Sequence, residues 1–251
     1  MKFFLILLSF LTLLSANSDV VGEVLLVDGN VKIKSKGSIR KKKALVGASI
    51  YAGDLVSSSK NSHLKLRLED NSTLILDELS TLRFNSVKNT EQISGKVLYK
   101  ITSRDAKNSL KVKTPFAVIG IKGTTFIVNA QKKEESIALK EGLIGVSSIK
   151  EEFSLYRKEV LAAFNNFKEE QAKALQESTE RQMSEFERYK SGITQEDTKV
   201  IKPIITKEFD LKAGNAISFN KNIVKESSLE TLKEDPFKKF NNFFSKPEEE
   251  K

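Results

Sequence analysis

From Asp19 to Ile149 the apolar residues of this chain alternate with polar ones. The clearest runs are Val31 and Ile33; Leu64, Leu66 and Leu68; Leu74 and Leu76; Leu82 and Phe84; Val97, Tyr99 and Ile101; Leu110 and Val112; and Ile137 and Leu139. A period of two sends one row of side chains into a core and the other, rich in Lys, Ser and Arg, into water. The runs are short. Turn residues interrupt them at Asp28-Gly29, Gly53-Asp54, Asp70-Asn71, Ser94-Gly95 and Glu141-Gly142. Many short strands so punctuated predict a sandwich, a roll or a solenoid.

The pattern changes at Lys150. From there to Ser191 the chain has no Gly or Pro and is dense in Glu, Lys, Gln and Ala. Apolar residues recur three to four apart at Phe153, Tyr156, Val160, Phe164, Phe167, Leu175, Met183, Phe186 and Tyr189. This spacing predicts an inserted amphipathic helix over residues 150–192, about 60 Å long if unbroken, or two shorter helices parted where the stripe weakens between Gln176 and Gln182. Gly192 suits the left-handed position after a helix terminus. Two roles stand for it: lying along the β core, or projecting to recruit a partner or a second copy in coiled-coil fashion. In the second role Met183, Phe186 and Tyr189 are the candidate partner-binding residues.

Residues 193–224 return to β, with Glu208 to Phe219 reading as strand, tight turn, strand, and complete the core. Residues 225–251 read as a charged, flexible tail. Within it Asp235-Pro236 is a start signal for a short helix that would put Phe237, Phe240 and Phe244 on one face.

Residues 1–18 read as a signal peptide. Lys2 supplies the positive end, Phe3 to Leu14 the apolar run, and small residues follow, with cleavage after Ala16 or Ser18. The run is shorter than the roughly 20 residues needed to span a bilayer, so an uncleaved anchor is the lesser reading and no span is expected in the mature chain. The expected address is the periplasm. The chain has no cysteine, which excludes a disulfide framework and a lipid anchor on an amino-terminal cysteine. The formal charge of +9 admits an acidic partner or anionic lipid. No nucleic-acid-binding motif accompanies it, so no nucleic acid is expected. Much of the local excess lies in Lys36 to Lys43, read as a solvated loop in preference to a docking patch.

The order of turns and strands carries more information than any one of them. Val46-Gly47-Ala48-Ser49-Ile50-Tyr51-Ala52-Gly53-Asp54-Leu55-Val56 opens the series, and Leu64 to Leu74 gives strand, Asp70-Asn71 turn, strand. Glu78 to Phe84, Gly95 to Tyr99 and the Val-Lys-Thr-Pro run at 112–115 follow. Then come Lys122-Gly123-Thr124-Thr125-Phe126 and the closing Glu141-Gly142-Leu143-Ile144-Gly145-Val146. In this order the segments resemble the FecR domain, a periplasmic β module of bacterial signalling and envelope proteins, over roughly Gly47 to Ser147. The resemblance implies a mainly β fold, a twisted β-solenoid-like roll of short strands, here carrying the long inserted α-helix. Lys122, Gly123, Thr124 and Phe126 form its signature turn. Gly123 there allows close strand packing or a positive φ, and Asn71 stands where the family usually has Gly. In the best-known members the domain lies behind a cytoplasmic anti-sigma segment and a membrane span, and senses an outer-membrane receptor. A signal peptide beginning at Met1 leaves no place for that segment, so what is expected to carry over is recognition of a periplasmic or outer-membrane protein.

No catalytic residue, cofactor site or metal site is expected. His63 is the single histidine; its alternation with Leu64 and Leu66 points it to water. With one His and no Cys, the usual transition-metal ligand sets cannot be assembled. Glu69-Asp70-Asn71 lacks the spacing of a calcium loop, and no Gly-rich phosphate loop precedes a helix. Two function classes remain: a non-enzymatic protein-recognition or scaffold module of the envelope, possible as a homo-oligomer through the helix, and a binder of envelope glycan or surface polymer. A row of exposed aromatics on one β face would mark the second. The chain has no Trp and concentrates its aromatics after residue 150, which favours the first.

Overall fold

The structure, a computed structural model, describes residues 19–102, 110–157 and 202–244. Eighteen strands form one sheet: β1 (Val20–Asp28), β2 (Val31–Lys34), β3 (Lys42–Lys43), β4 (Ser49–Tyr51), β5 (Leu55–Ser58), β6 (His63–Leu68), β7 (Thr73–Leu76), β8 (Thr81–Ser86), β9 (Asn89–Ser94), β10 (Lys96–Lys100), β11 (Leu110–Lys113), β12 (Val118–Asn129), β13 (Ser136–Ser147), β14 (Phe153–Tyr156), β15 (Ile204–Thr206), β16 (Glu208–Lys212), β17 (Asn215–Asn220) and β18 (Ile223–Ser228). A short 3₁₀ turn, Leu229–Thr231, and one helix, α1 (Lys238–Phe244), follow.

The sheet curls into a half-barrel with two arms facing each other across a core. One arm runs β1, β6, β7, β10, the second half of β12, the first half of β13, β17, β18, β14 and β15. The other runs β3, β2, β5, β8, β9, β11, the first half of β12, the second half of β13 and β16. The long β12–β13 hairpin belongs to both. Its register shifts between Lys122 and Phe126, where the ribbon bends from one arm to the other.

The alternating apolar residues do face this core. Leu64, Leu66, Leu74, Val97, Tyr99, Phe126 and Val128 of one arm meet Val31, Val56, Leu82, Phe84, Val112, Ile119 and Ile144 of the other in one buried cluster. A polar bridge crosses it. Tyr99 Oη donates to Gln92 Oε1 (2.9 Å), and Gln92 Nε2 donates to the carbonyls of Gly95 (3.0 Å) and Val128 (3.1 Å). Tyr99 also stacks on Phe126, with ring centroids 4.8 Å apart. Tyr99→Phe leaves the buried Gln92 oxygen unpaired and should cost about 1–3 kcal/mol by urea denaturation at neutral pH.

Burial pushes the Tyr99 hydroxyl well above the ordinary tyrosine pKa of 10.0. The folded state therefore holds this proton more tightly than the unfolded chain. The resulting stability is fully present below about pH 10 and is lost as pH rises beyond it. Wild type should weaken on titration above pH 10 more steeply than Tyr99→Phe does, and parallel curves would contradict the assignment.

Three expectations are corrected. The roll is not solenoid-like: among the described residues only β9–β11 and β14–β18 pair in parallel, and the rest is built from antiparallel ladders, whereas stacked coils pair in parallel. The long inserted α-helix, and with it the coiled coil, is not found among the described residues, where α1 is the longest helix. Its expected first turn, Phe153 to Tyr156, is strand β14, held between β15 and β18. Helical spacing there loses to burial: Phe153 packs edge-on against Phe209 and Phe219 at 5.6 and 5.9 Å. Residues 158–201, including Met183, Phe186 and Tyr189, lie outside the described residues.

The third correction concerns the tail. Lys225–Ser228 are part of β18, and α1 packs on the outer face of the first arm. Asp235 Oδ1 accepts from the Phe237 N–H at 2.9 Å, capping the turn as its position before Pro236 predicts. Phe237, Phe240 and Phe243 are buried against Ile75, Leu98, Ile127, Ala138 and Ala216. Lys239 Nζ grips both oxygens of Asp77, at 2.8 and 2.9 Å. The first arm is thus covered on both faces.

Candidate functional site

Beside the strip covered by α1, the outer face of the first arm turns polar. Position by position across the ladders, Arg67 pairs with Thr73, Thr73 with Lys100, Lys100 with Thr125, and Thr125 with Glu141. Here, at the β12–β13 bend, a cleft of about 480 Å³ opens, lined by Lys65, Asn71, Thr73, Lys100, Ile101, Thr102, Gly123, Thr124, Thr125 and Glu141.

The bend owes its shape to two glycines on facing strands. Gly123 has φ +57° and Gly142 φ +89°, in the region that side chains with a β-carbon disfavour. A Cβ on Gly142 would lie 2.6 Å from Thr124 Cγ2 and 2.7 Å from the Gly123 carbonyl oxygen. The Ile101 N–H donates to the Thr124 carbonyl at 2.9 Å, pinning the end of β10 to the bend. The opposite wall is held by Asp70, Ser72 and Thr102. Ser72 Oγ donates to Asp70 Oδ2 (2.7 Å), the Thr102 N–H donates to Ser72 Oγ (3.1 Å), and Thr102 Oγ1 donates to the Asp70 carbonyl (2.8 Å). Asn71 adopts φ +62°, the left-handed conformation that suits it as a substitute for Gly.

The charges are unevenly satisfied. Thr125 Oγ1 donates to Glu141 Oε2 at 2.9 Å. Lys65, by contrast, is 8 % exposed, and its ammonium has no hydrogen-bond or ion-pair partner among the described residues. The Thr124 hydroxyl is also buried without a partner. The cleft therefore holds an ammonium without a partner, on a largely covered stem, and a buried hydroxyl donor.

Of the predicted signature residues, Gly123 and Thr124 line the cleft while Phe126 faces the core. Lys122 supplies a backbone position in β12, paired with Leu143. Sequence reasoning did not find Lys65, because alternation sends it to water; only the packing of α1 and the bend against its strand encloses it. His63 is likewise corrected. It is partly buried, its ring 4.7 Å from that of Phe243 and its Nε2 3.0 Å from Asp77 Oδ1, because α1 lies over the strand end that alternation left open. No cluster of metal-ligating side chains occurs among the described residues, and none of their helices is long and apolar enough to cross a membrane.

The curled sheet and its bent hairpin define a β scaffold with a polar cleft at the bend. A family model described as FecR protein matches residues 54–145, from the start of β5 into the second half of β13. Over these residues the chain carries a FecR domain. Two crystal structures of a "putative anti-sigma factor" from Parabacteroides distasonis ATCC 8503 are also similar. They share 12 % identity, with TM-scores of 0.46 and 0.44, over 76 % of this chain and 65 % and 64 % of those chains. Comparison with curated proteins finds no match.

Proposed function

We propose that this chain is exported to the periplasm and acts there as a non-enzymatic protein-recognition module in envelope signalling or scaffolding. One observation carries the reading: every residue lining the cleft, from Lys65 to Glu141, lies within the stretch 54–145 that matches the FecR family. The family's characteristic turn thus builds a recess on a rigid scaffold, and rigid elements hold binding groups more precisely than loops do.

Export is tested directly. Amino-terminal sequencing of the protein from a periplasmic fraction should begin near Asn17 or Asp19, and an intact Met1 on cytoplasmic protein would end the reading. A second contact is proposed at Met183, Phe186 and Tyr189, an apolar stripe of the sequence spaced three residues apart. Changing all three to Ser should abolish partner binding or self-association in sedimentation while leaving the melting of the β scaffold within a few degrees of wild type. Unfolding of the scaffold with association intact would show the stripe to be structural.

A further inference from the structure

We propose that the cleft at the β12–β13 bend is a carboxylate-binding site, with the Lys65 ammonium as counter-charge and the Thr124 hydroxyl as a second donor. This deepens the recognition reading and rests on it.

Lys65 projects from β6 on the outer face, between its cross-strand neighbours Leu26 and Ile75. Both belong to the apolar cluster beneath α1, so the methylene stem is sheathed in hydrocarbon and the ammonium is delivered to the cleft. An ammonium without a counter-ion in a recess, where protein replaces part of the surrounding water, attracts an anion more strongly than one on an open surface. The unpartnered Thr124 Oγ1 on the facing wall adds an uncharged donor.

The lining also sets the charge of the ligand group. Lys65 offers the cleft one ammonium without a partner among the described residues, and Glu141 stands on the same lining. A single carboxylate neutralises the ammonium. A phosphate dianion would overshoot and would sit against the Glu141 carboxylate, which Thr125 holds in place. The remaining walls are hydroxyls and amides, suited to a polar ligand. A small free carboxylic acid and an acidic side chain offered by another protein present the same group.

The test is a titration of the isotopically labelled mature protein followed by amide NMR. Sodium acetate should move the Gly123, Thr124 and Thr125 signals saturably, and equimolar sodium chloride should not. A blocked tetra-glutamate peptide binding about tenfold tighter than acetate assigns the site to acidic protein segments; equal affinity assigns it to small acids. Lys65→Met should weaken acetate binding by about tenfold or more. Should that variant fail to fold, Thr124→Val, which keeps the ammonium, should weaken acetate several-fold. Absence of saturable shifts with both acetate and the peptide, undiminished binding in the variants, or tighter binding of inorganic phosphate than of acetate would each overturn the assignment. If the carboxylate site fails while partner crosslinking in cells persists, the ligand chemistry is wrong and the recognition reading stands.

Discussion

Gly142→Val unfolds the protein under conditions where the wild type is folded. Two costs add at this position. A β-branched residue at φ +89° is strained by about 1–3 kcal/mol, and overpacking adds about 1–3 kcal/mol more. Besides Thr124 Cγ2, the new side chain meets a backbone carbonyl, that of Gly123, which no rotamer change relieves. Because the β12–β13 ribbon pairs in both arms, strain at its bend is felt by the whole sheet. A loss of about 4 kcal/mol is a large part of the 5–15 kcal/mol of a typical domain. Gly120→Ala, on the neighbouring strand β12 but with open space at its Cβ position and no positive φ, should shift the urea midpoint little. Equal midpoints for Gly142→Val and wild type would show the bend to be incidental. Gly123→Val, at φ +57°, should also cost several kcal/mol.

Phe240→Ala detaches α1. Phe240 is 1 % exposed and is the largest fully buried side chain of the second cluster; truncating such a residue costs about 3–5 kcal/mol. A helix of seven residues has no stability of its own, so the loss appears as undocking rather than as melting of the sheet. Amides of Lys239 to Phe243 should lose their protection in hydrogen exchange. The uncovered Ile75, Leu98 and Ile127 should bind a hydrophobic dye and promote association. Protection of α1 equal to wild type would contradict the packing described.

The sequence spelled out the inner face and concealed the outer one. Alternation found Leu64, Leu66, Leu74, Val97 and Tyr99, all of which face the core. Yet Leu74-Ile75-Leu76, Val97-Leu98-Tyr99 and Phe126-Ile127-Val128 are continuous apolar runs, the mark of strands covered on both sides. Their middle residues, with Phe237 and Phe240, were the visible signal that a C-terminal segment docks there. It was obscured by the charge of that segment, since Lys and Glu on its exposed side outnumber the few anchoring aromatics. Phe153 to Tyr156 misled for another reason. Phe153 and Leu155 alternate as a strand while Phe153 and Tyr156 repeat as a helix, and only long-range pairing with β15 and β18 decides between them. The signature turn was legible because its chemistry is local: Gly123 and Asn71 show positive φ as their residue types predict. The cleft was not, because it joins residues from 65 to 141 through sheet register alone.

Recognition of a partner through the cleft after export can be observed directly. Photocrosslinking in intact cells tests it, with a benzophenone amino acid placed at Lys100 on the cleft and, as control, at Ile39, which is 94 % exposed in the basic loop. One discrete heavier species is expected from position 100 and none from position 39, with the crosslinked chain lacking its first 16 to 18 residues, the expected signal peptide. Adducts of equal yield from both positions, or adducts carried only by the unprocessed chain, would contradict recognition through the cleft after export.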